Sequence, residues 1–140
     1  MSKFLLKIIK ETDLYEVASI ALVGNHSDRK FAPNINHGGS VHLNILEPSA
    51  QAGNHYHQRI KEFFINPGPG KLVLHLKHPT TDNIEVVDIL PASHAVVMAY
   101  RAKLGVSHMV ENPGPERVTL IIIVDEDDPT DVCPSNVYMT

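Results

Sequence analysis

The chain has 140 residues, a length that fits one domain able to bury a sizeable core, and 43% of them are hydrophobic against 20% charged. Twelve Lys and Arg against sixteen Asp and Glu give a net charge of −4 with no basic cluster, which excludes an electrostatic nucleic-acid footprint. The single cysteine, Cys133, rules out an intrachain disulfide. No apolar run approaches the roughly 20 residues of a membrane span, and "MSKFLLKIIKETD" lacks a signal peptide's apolar core and cleavage site, so a cytoplasmic location is expected.

Short apolar or alternating runs follow one another along the chain: 3–9 (KFLLKII), 18–24 (ASIALVG), 40–47 (SVHLNILE), 61–66 (KEFFIN), 71–77 (KLVLHLK), 84–90 (IEVVDIL), 95–100 (AVVMAY) and 117–125 (RVTLIIIVD). Turn signals separate them, "NPGPG" at 66–70, "HPTTDN" at 78–83, "LPAS" at 90–93 and "ENPGPE" at 111–116. Strands at such intervals predict an all-β sandwich or barrel, and only residues 10–17 suit a short helix.

Successive residues of a strand point to opposite faces. In 40–47, Val41, Leu43 and Ile45 share one face and His42, Asn44 and Leu46 the other; in 71–77, Leu72, Leu74 and Leu76 oppose Val73 and His75. The faces carrying His42 and His75 either line a partly polar pocket or meet solvent. The carboxyl end, "DEDDPTDVCPSNVYMT", places five acidic residues within 125–131 and reads as a solvated tail, with a lid or dimer contact through Val137, Tyr138 and Met139 as the alternative.

The chemistry concentrates in "AGNHYHQRIKEFF" at 52–64. His55 and His57, two apart, project from one strand face and can reach one ion; "QRIK" permits a turn that returns Glu62 beside them. Two neutral imidazoles and a carboxylate suit Fe(II), Mn(II), Co(II), Ni(II) or Zn(II) and leave coordination positions open. The best candidate for a fourth ligand is His108 in "LGVSHMVENPG", placed at the start of a strand after Gly105.

These residues carry a resemblance. "GNHYHQRIKEFFINPGPG" resembles the first motif of the cupin family through His55, His57, Glu62 and Gly68 or Gly70, and "KLGVSHMVEN" resembles the second through Gly105, His108 and Asn112. Lys103 stands where that motif has proline. The two motifs and intervening strands occupy about 40–125, within a single domain of 1–140 that has N-terminal strands in 1–39 and an acidic tail in 126–140. The resemblance implies a double-stranded β-helix, or jelly-roll barrel, holding one divalent transition metal (Zn, Fe, Mn or Ni) on His55, His57, Glu62 and His108. In layout the chain is also similar to the cupin domain that closes bifunctional sugar-nucleotide reductases of capsular polysaccharide synthesis, but it has no Gly-rich βα fingerprint of a reductase half.

Three functions are compatible with such a site. An isomerase or epimerase of a carbohydrate or sugar nucleotide would use the metal as a Lewis acid on a carbonyl, with a base drawn from His42, His75 or Tyr56; alternation sets Tyr56 opposite the His55/His57 face and favours the two histidines. A dioxygenase would hold Fe(II) or Mn(II) in a pocket walled by Phe63, Phe64, Val73 and Met109. A non-catalytic module would bind a small molecule as a signal or store. A small-molecule ligand is expected in each case, with no nucleic-acid or membrane partner, and a homodimer formed through an exposed strand such as "KFLLKII".

Overall fold

The structure is a computed structural model that describes residues 6–21, 39–93, 96–126 and 128–138. The parts of "KFLLKII" and "ASIALVG" at 3–5 and 22–24, and Met139, lie outside the described residues. Among the described residues no helix is long and apolar enough to cross a membrane.

The described residues form eleven strands: β1 (Leu6–Glu11), β2 (Tyr15–Ala21), β3 (Ser40–Leu46), β4 (Gln51–Tyr56), β5 (Glu62–Ile65), β6 (Leu72–Lys77), β7 (Ile84–Ile89), β8 (Val96–Ala102), β9 (Ser107–Glu111), β10 (Val118–Val124) and β11 (Cys133–Pro134). They form a six-stranded sheet in the order β1-β2-β8-β5-β10-β3 and a five-stranded sheet in the order β11-β4-β9-β6-β7. All the ladders between these strands are antiparallel. Phe64, Tyr100, Leu120 and Ile122 from one sheet and Leu72, Leu74, Leu76 and Val110 from the other meet in one buried cluster, the jelly-roll arrangement of two sheets around a core.

Residues 10–17, expected as a short helix, form the tip of a hairpin instead. The Thr12 hydroxyl oxygen accepts the N–H groups of Leu14 and Tyr15, and the Thr12 N–H donates to the Tyr15 carbonyl. A threonine that satisfies two successive donors offers the backbone a turn in place of a first helical turn.

Two Asn-Pro-Gly-Pro segments end the strands that matter most for the site. Asn66 follows β5, with its side-chain NH2 donating to the carbonyls of Gly70 and Ile89 and its Oδ1 accepting the Gly68 N–H. Asn112 follows β9 and does the same for the carbonyls of Leu46 and Glu116 and the Gly114 N–H. Both side chains are fully buried, and three bonds each are what keep a buried amide from destabilising the core. The motif asparagine is therefore a turn lock. At Lys103, where the cupin motif has proline, the backbone N–H donates to the Leu14 carbonyl, a bond that proline could not make.

Candidate metal centre

His55 and His108 are paired across the β4–β9 ladder, so their side chains leave the sheet on the same face. A bulge at Gly53 and Asn54, both at positive φ, precedes His55. At Gly53 (φ +108°) a Cβ would lie 3.0 Å from the His108 carbonyl oxygen, so the close approach of β4 to β9 needs glycine there. His57 lies just beyond the end of β4, and the chain turns through 58–61 into the opposite sheet, where Glu62 opens β5. The four residues thus converge from both sheets.

They offer four ligand atoms, all within 4.8 Å of one another. Glu62 Oε1 lies 3.1 Å from His108 Nε2, 3.3 Å from His57 Nε2 and 3.5 Å from His55 Nε2. Two donors bound to one ion at about 2.1 Å stand about 3.0 Å apart at a right angle and about 3.4 Å apart at the tetrahedral angle. The spacing matches.

The proton positions make the same point. His57 Nδ1 is 2.9 Å from the Asp131 carbonyl oxygen and His108 Nδ1 is 2.9 Å from that of Val106. A carbonyl only accepts, so both Nδ1 atoms carry hydrogen, and in the neutral rings both Nε2 lone pairs face the Glu62 carboxylate. Lone pairs against a carboxylate at these distances require either extra protons or a cation between them. Such outer bonds, which fix tautomer and ring orientation, are the usual support of metal-binding histidines.

Without an ion, protons fill that role. Burial pushes the His57 imidazole down, but the bond and charge of Glu62 and the Asp131 carbonyl outweigh it and raise its pKa above the ordinary value. Burial likewise opposes ionisation of Glu62, and the bonds from His108, His55 and His57 overcome it and hold the carboxyl far below the usual carboxylate range. Asp131 is lowered chiefly by the backbone N–H of Ile60, with those of Gln58 and Arg59 adding to it.

A cavity of about 290 Å3 opens beside the cluster. Three of the cluster's residues, His55, His57 and Glu62, line it together with His42 and Asn44 from β3 and the apolar side chains of Ile60, Ile122, Val124 and Val132. On β3 the expected division of faces therefore has the polar side inward. Val41, Leu43 and Ile45 are 50%, 69% and 62% exposed, with no second layer over them among the described residues.

On β6 the division is reversed. Leu72, Leu74 and Leu76 point into the core, and His75 turns to the outer face of the sheet, where Nε2 is 3.1 Å from Glu111 Oε1 and Nδ1 bonds the Tyr138 hydroxyl. His75 is therefore separated from the cluster by its own sheet. The expected apolar wall is corrected too. Phe63 packs beside Ile65 and Ile123 in a second apolar cluster, Phe64 belongs to the main core, and Val73 and Met109 alternate with inward-facing Leu74 and His108.

The acidic end is not a solvated tail over its described length. Pro129–Asp131 forms one 3-10 turn, β11 pairs with β4, and Asp131 and Val137 are buried. Apart from the acidic run itself, the sequence offers no signal for Asp131, because its partners are main-chain N–H groups.

Two antiparallel sheets packed around one core, with a three-histidine, one-glutamate cluster between them, have the cupin jelly-roll fold. No protein-family model matches the chain, and no curated protein matches it by sequence. Solved structures match in fold. The capsular polysaccharide assembling protein CapF from Staphylococcus aureus is 22% identical with a TM-score of 0.62, covering 97% of this chain and 32% of CapF. ChmJ, a 3'-monoepimerase from Streptomyces bikiniensis in complex with dTDP-quinovose, is 14% identical with a TM-score of 0.57, over 83% of this chain and 67% of ChmJ. QdtA, a sugar 3,4-ketoisomerase from Thermoanaerobacterium thermosaccharolyticum in complex with TDP, is 16% identical with a TM-score of 0.53, over 66% of this chain and 64% of QdtA. The chain thus spans about a third of the CapF chain.

Proposed function

We propose that the chain binds one divalent transition metal (zinc, iron, manganese or nickel) at His55, His57, Glu62 and His108 and acts as an isomerase or epimerase on a small carbohydrate or sugar nucleotide. The observation that carries the metal is the facing of two Nε2 lone pairs and a carboxylate around one point, with both Nδ1 hydrogens already given to carbonyls. The substrate class is supported by fold likeness to a ketoisomerase and a monoepimerase of sugars.

When bound, the metal supplies a Lewis acid for a substrate carbonyl, which lowers the cost of removing a proton from the neighbouring carbon. The residues of the chain do the rest. Ile60, Ile122, Val124 and Val132 give the cavity an apolar side for the carbon skeleton of the substrate. His42, on the cavity wall with Ser40 Oγ 2.7 Å from its Nε2, takes the proton; the electron pair stays on the substrate and shifts toward the carbonyl oxygen. Return of the proton to the other face of that carbon is epimerisation, and return at the adjacent carbon is isomerisation.

The test is metal analysis of protein purified without chelator or nickel column, followed by incubation of the loaded protein with a keto-sugar nucleotide in deuterated water. About one ion per chain, its loss in His55→Ala and Glu62→Gln, and deuterium entering carbon beside the carbonyl are expected. Protein with no metal defeats the reading. Iron with substrate-dependent oxygen uptake and no deuterium entry replaces it by the dioxygenase alternative.

A further inference from the structure

We propose that Asp131 is the positioning residue of this centre, a clamp reaching from the far end of the chain that sets the tautomer of His57 and the shape of the turn leading to Glu62. The inference rests on the metal-binding reading above and adds to it a residue outside the ligand set.

Asp131 is 7% exposed, at the end of a run of acidic residues. Its main-chain carbonyl accepts the Nδ1–H of His57 at 2.9 Å. Its carboxylate accepts three successive N–H groups, those of Gln58 at 2.9 Å, Arg59 at 2.8 Å and Ile60 at 2.7 Å. One residue therefore addresses four consecutive positions, 57–60, and these are the positions that join two ligands, His57 and Glu62. Three converging N–H donors match the acceptor capacity of an ionised carboxylate, and no neutral side chain of similar size can serve all three.

Asp131 is itself held. Its N–H donates to the Asp128 carbonyl at 3.1 Å, and Asp128 Oδ1 accepts the Thr130 N–H at 2.9 Å. Beyond it, β11 pairs with β4 at Cys133–Tyr56 and Pro134–His55, and Ser135 N–H donates to the Asn54 carbonyl at 2.9 Å. Val137 is buried, and the Tyr138 hydroxyl bonds His75. The clamp is thus fastened on both sides, and it lies along the strand that carries His55.

With Nδ1 committed to the carbonyl, the lone pair of His57 is on Nε2, which points at Glu62. If the turn relaxes, both the ring and the approach of Glu62 change. Removing outer partners of this kind weakens metal binding about 10- to 100-fold.

The experiment uses the full chain and Zn(II), titrated against a competing chromophoric chelator, in wild type, Asp131→Asn and Tyr138→Phe. In Asp131→Asn an NH2 group replaces an oxygen and meets N–H donors. Its Zn(II) affinity is expected to fall at least about 10-fold, whereas Tyr138→Phe, which removes only the outermost bond and leaves the β11–β4 pairing and the Asp131 contacts in place, stays within about twofold of wild type. Nitrogen-15 spectra of the metal-free protein supply a readout that overall stability would not move. The His57 Nδ1–H, present whether or not Nε2 also carries a proton, is expected as one slowly exchanging signal in wild type and as an exchange-broadened one in Asp131→Asn. A folded Asp131→Asn with wild-type Zn(II) affinity overturns the inference. So does a rapidly exchanging His57 Nδ1–H in the wild type, a measurement that needs no variant. A wild type that binds no Zn(II) strikes the metal reading itself and is thereby distinguished from failure of the clamp.

Discussion

His55 and His108 stand opposite each other in the β4–β9 ladder, with ring centroids 4.9 Å apart and planes at 90°. That pair belongs to one sheet and Glu62 to the other, so an ion held by all three ties the sheets together. Zinc at 100 times its dissociation constant is expected to add about 2.7 kcal/mol to unfolding stability. His108→Ala, which removes a buried ring, is expected to cost the metal-free protein about 1–3 kcal/mol and to abolish the zinc increment. Urea unfolding with and without zinc measures both, and an undiminished increment in the variant would exclude His108 as a ligand.

The metal-free protein has a defined pH response. Glu62 is depressed in the folded state, so its contribution is present above the unfolded carboxylate pKa of about 4.3 and is lost only as pH falls through its much lower folded value. His57 is raised, so its contribution is complete below the unfolded imidazole pKa of about 6.5 and is lost as pH rises through the folded value above it. Stability without metal should therefore peak between about pH 4.5 and 6.5 and fall toward pH 8. Zinc binding requires neutral imidazoles, so the zinc-induced rise in Tm should grow over the same interval. Calorimetry in chelator and in zinc tests this; a metal-free Tm that climbs from pH 6.5 to 8 contradicts it.

Gly53 and Gly105 make a paired comparison. Both have positive φ, +108° and +83°, but a Cβ at Gly53 meets the His108 carbonyl at 3.0 Å and Met109 Cα at 3.3 Å, while at Gly105 it meets nothing within 4 Å. Gly105→Ala should cost about 1 kcal/mol from backbone strain alone. Gly53→Ala should cost about 3 kcal/mol and also weaken metal binding, because β4 must move away from β9 and take His55 with it. Equal destabilisation of the two variants would refute the close-approach argument.

We propose that the homodimer expected through a strand such as "KFLLKII" uses an end of the six-stranded sheet, at β1 with Ile8 and Ile9 exposed or at β3 with Val41, Leu43 and Ile45 exposed, the two end strands among the described residues. Light scattering is expected to return twice the chain mass and, where the β3 end is used, Leu43→Lys to shift it toward the single-chain value. A wild-type monomer at micromolar concentration removes the proposal.

Strand positions and ligand spacing were legible because each depends on neighbours in sequence: β5, β6, β7 and β10 fall within one or two residues of the apolar runs, and His55, His57 and Glu62 sit seven positions apart or fewer. What alternation cannot supply is the sign of a face. "SVHLNILE" and "KLVLHLK" show the same apolar–polar alternation, yet β3 turns its histidine in and β6 turns its histidine out, because β3 borders the cavity and β6, flanked by β9 and β7, packs through three leucines. Asp131 was hidden for another reason. The partners of its carboxylate are backbone groups 71–73 residues away, and a carboxylate that binds peptide N–H leaves no pattern in side-chain identity.

Glu62 opens β5 and Asn66 follows its end; His108 lies at the start of β9 and Asn112 follows its end. Each return strand is thus pinned at one tip by a buried amide and presents its ligand at the other, as a peg fixed in a wall presents its free end. Loss of a ligand leaves the pinned tips intact, so the barrel can survive exchange of its metal-binding side chains. A scaffold divided in this way is free to change its chemistry by single substitutions while the same two asparagines go on holding its shape.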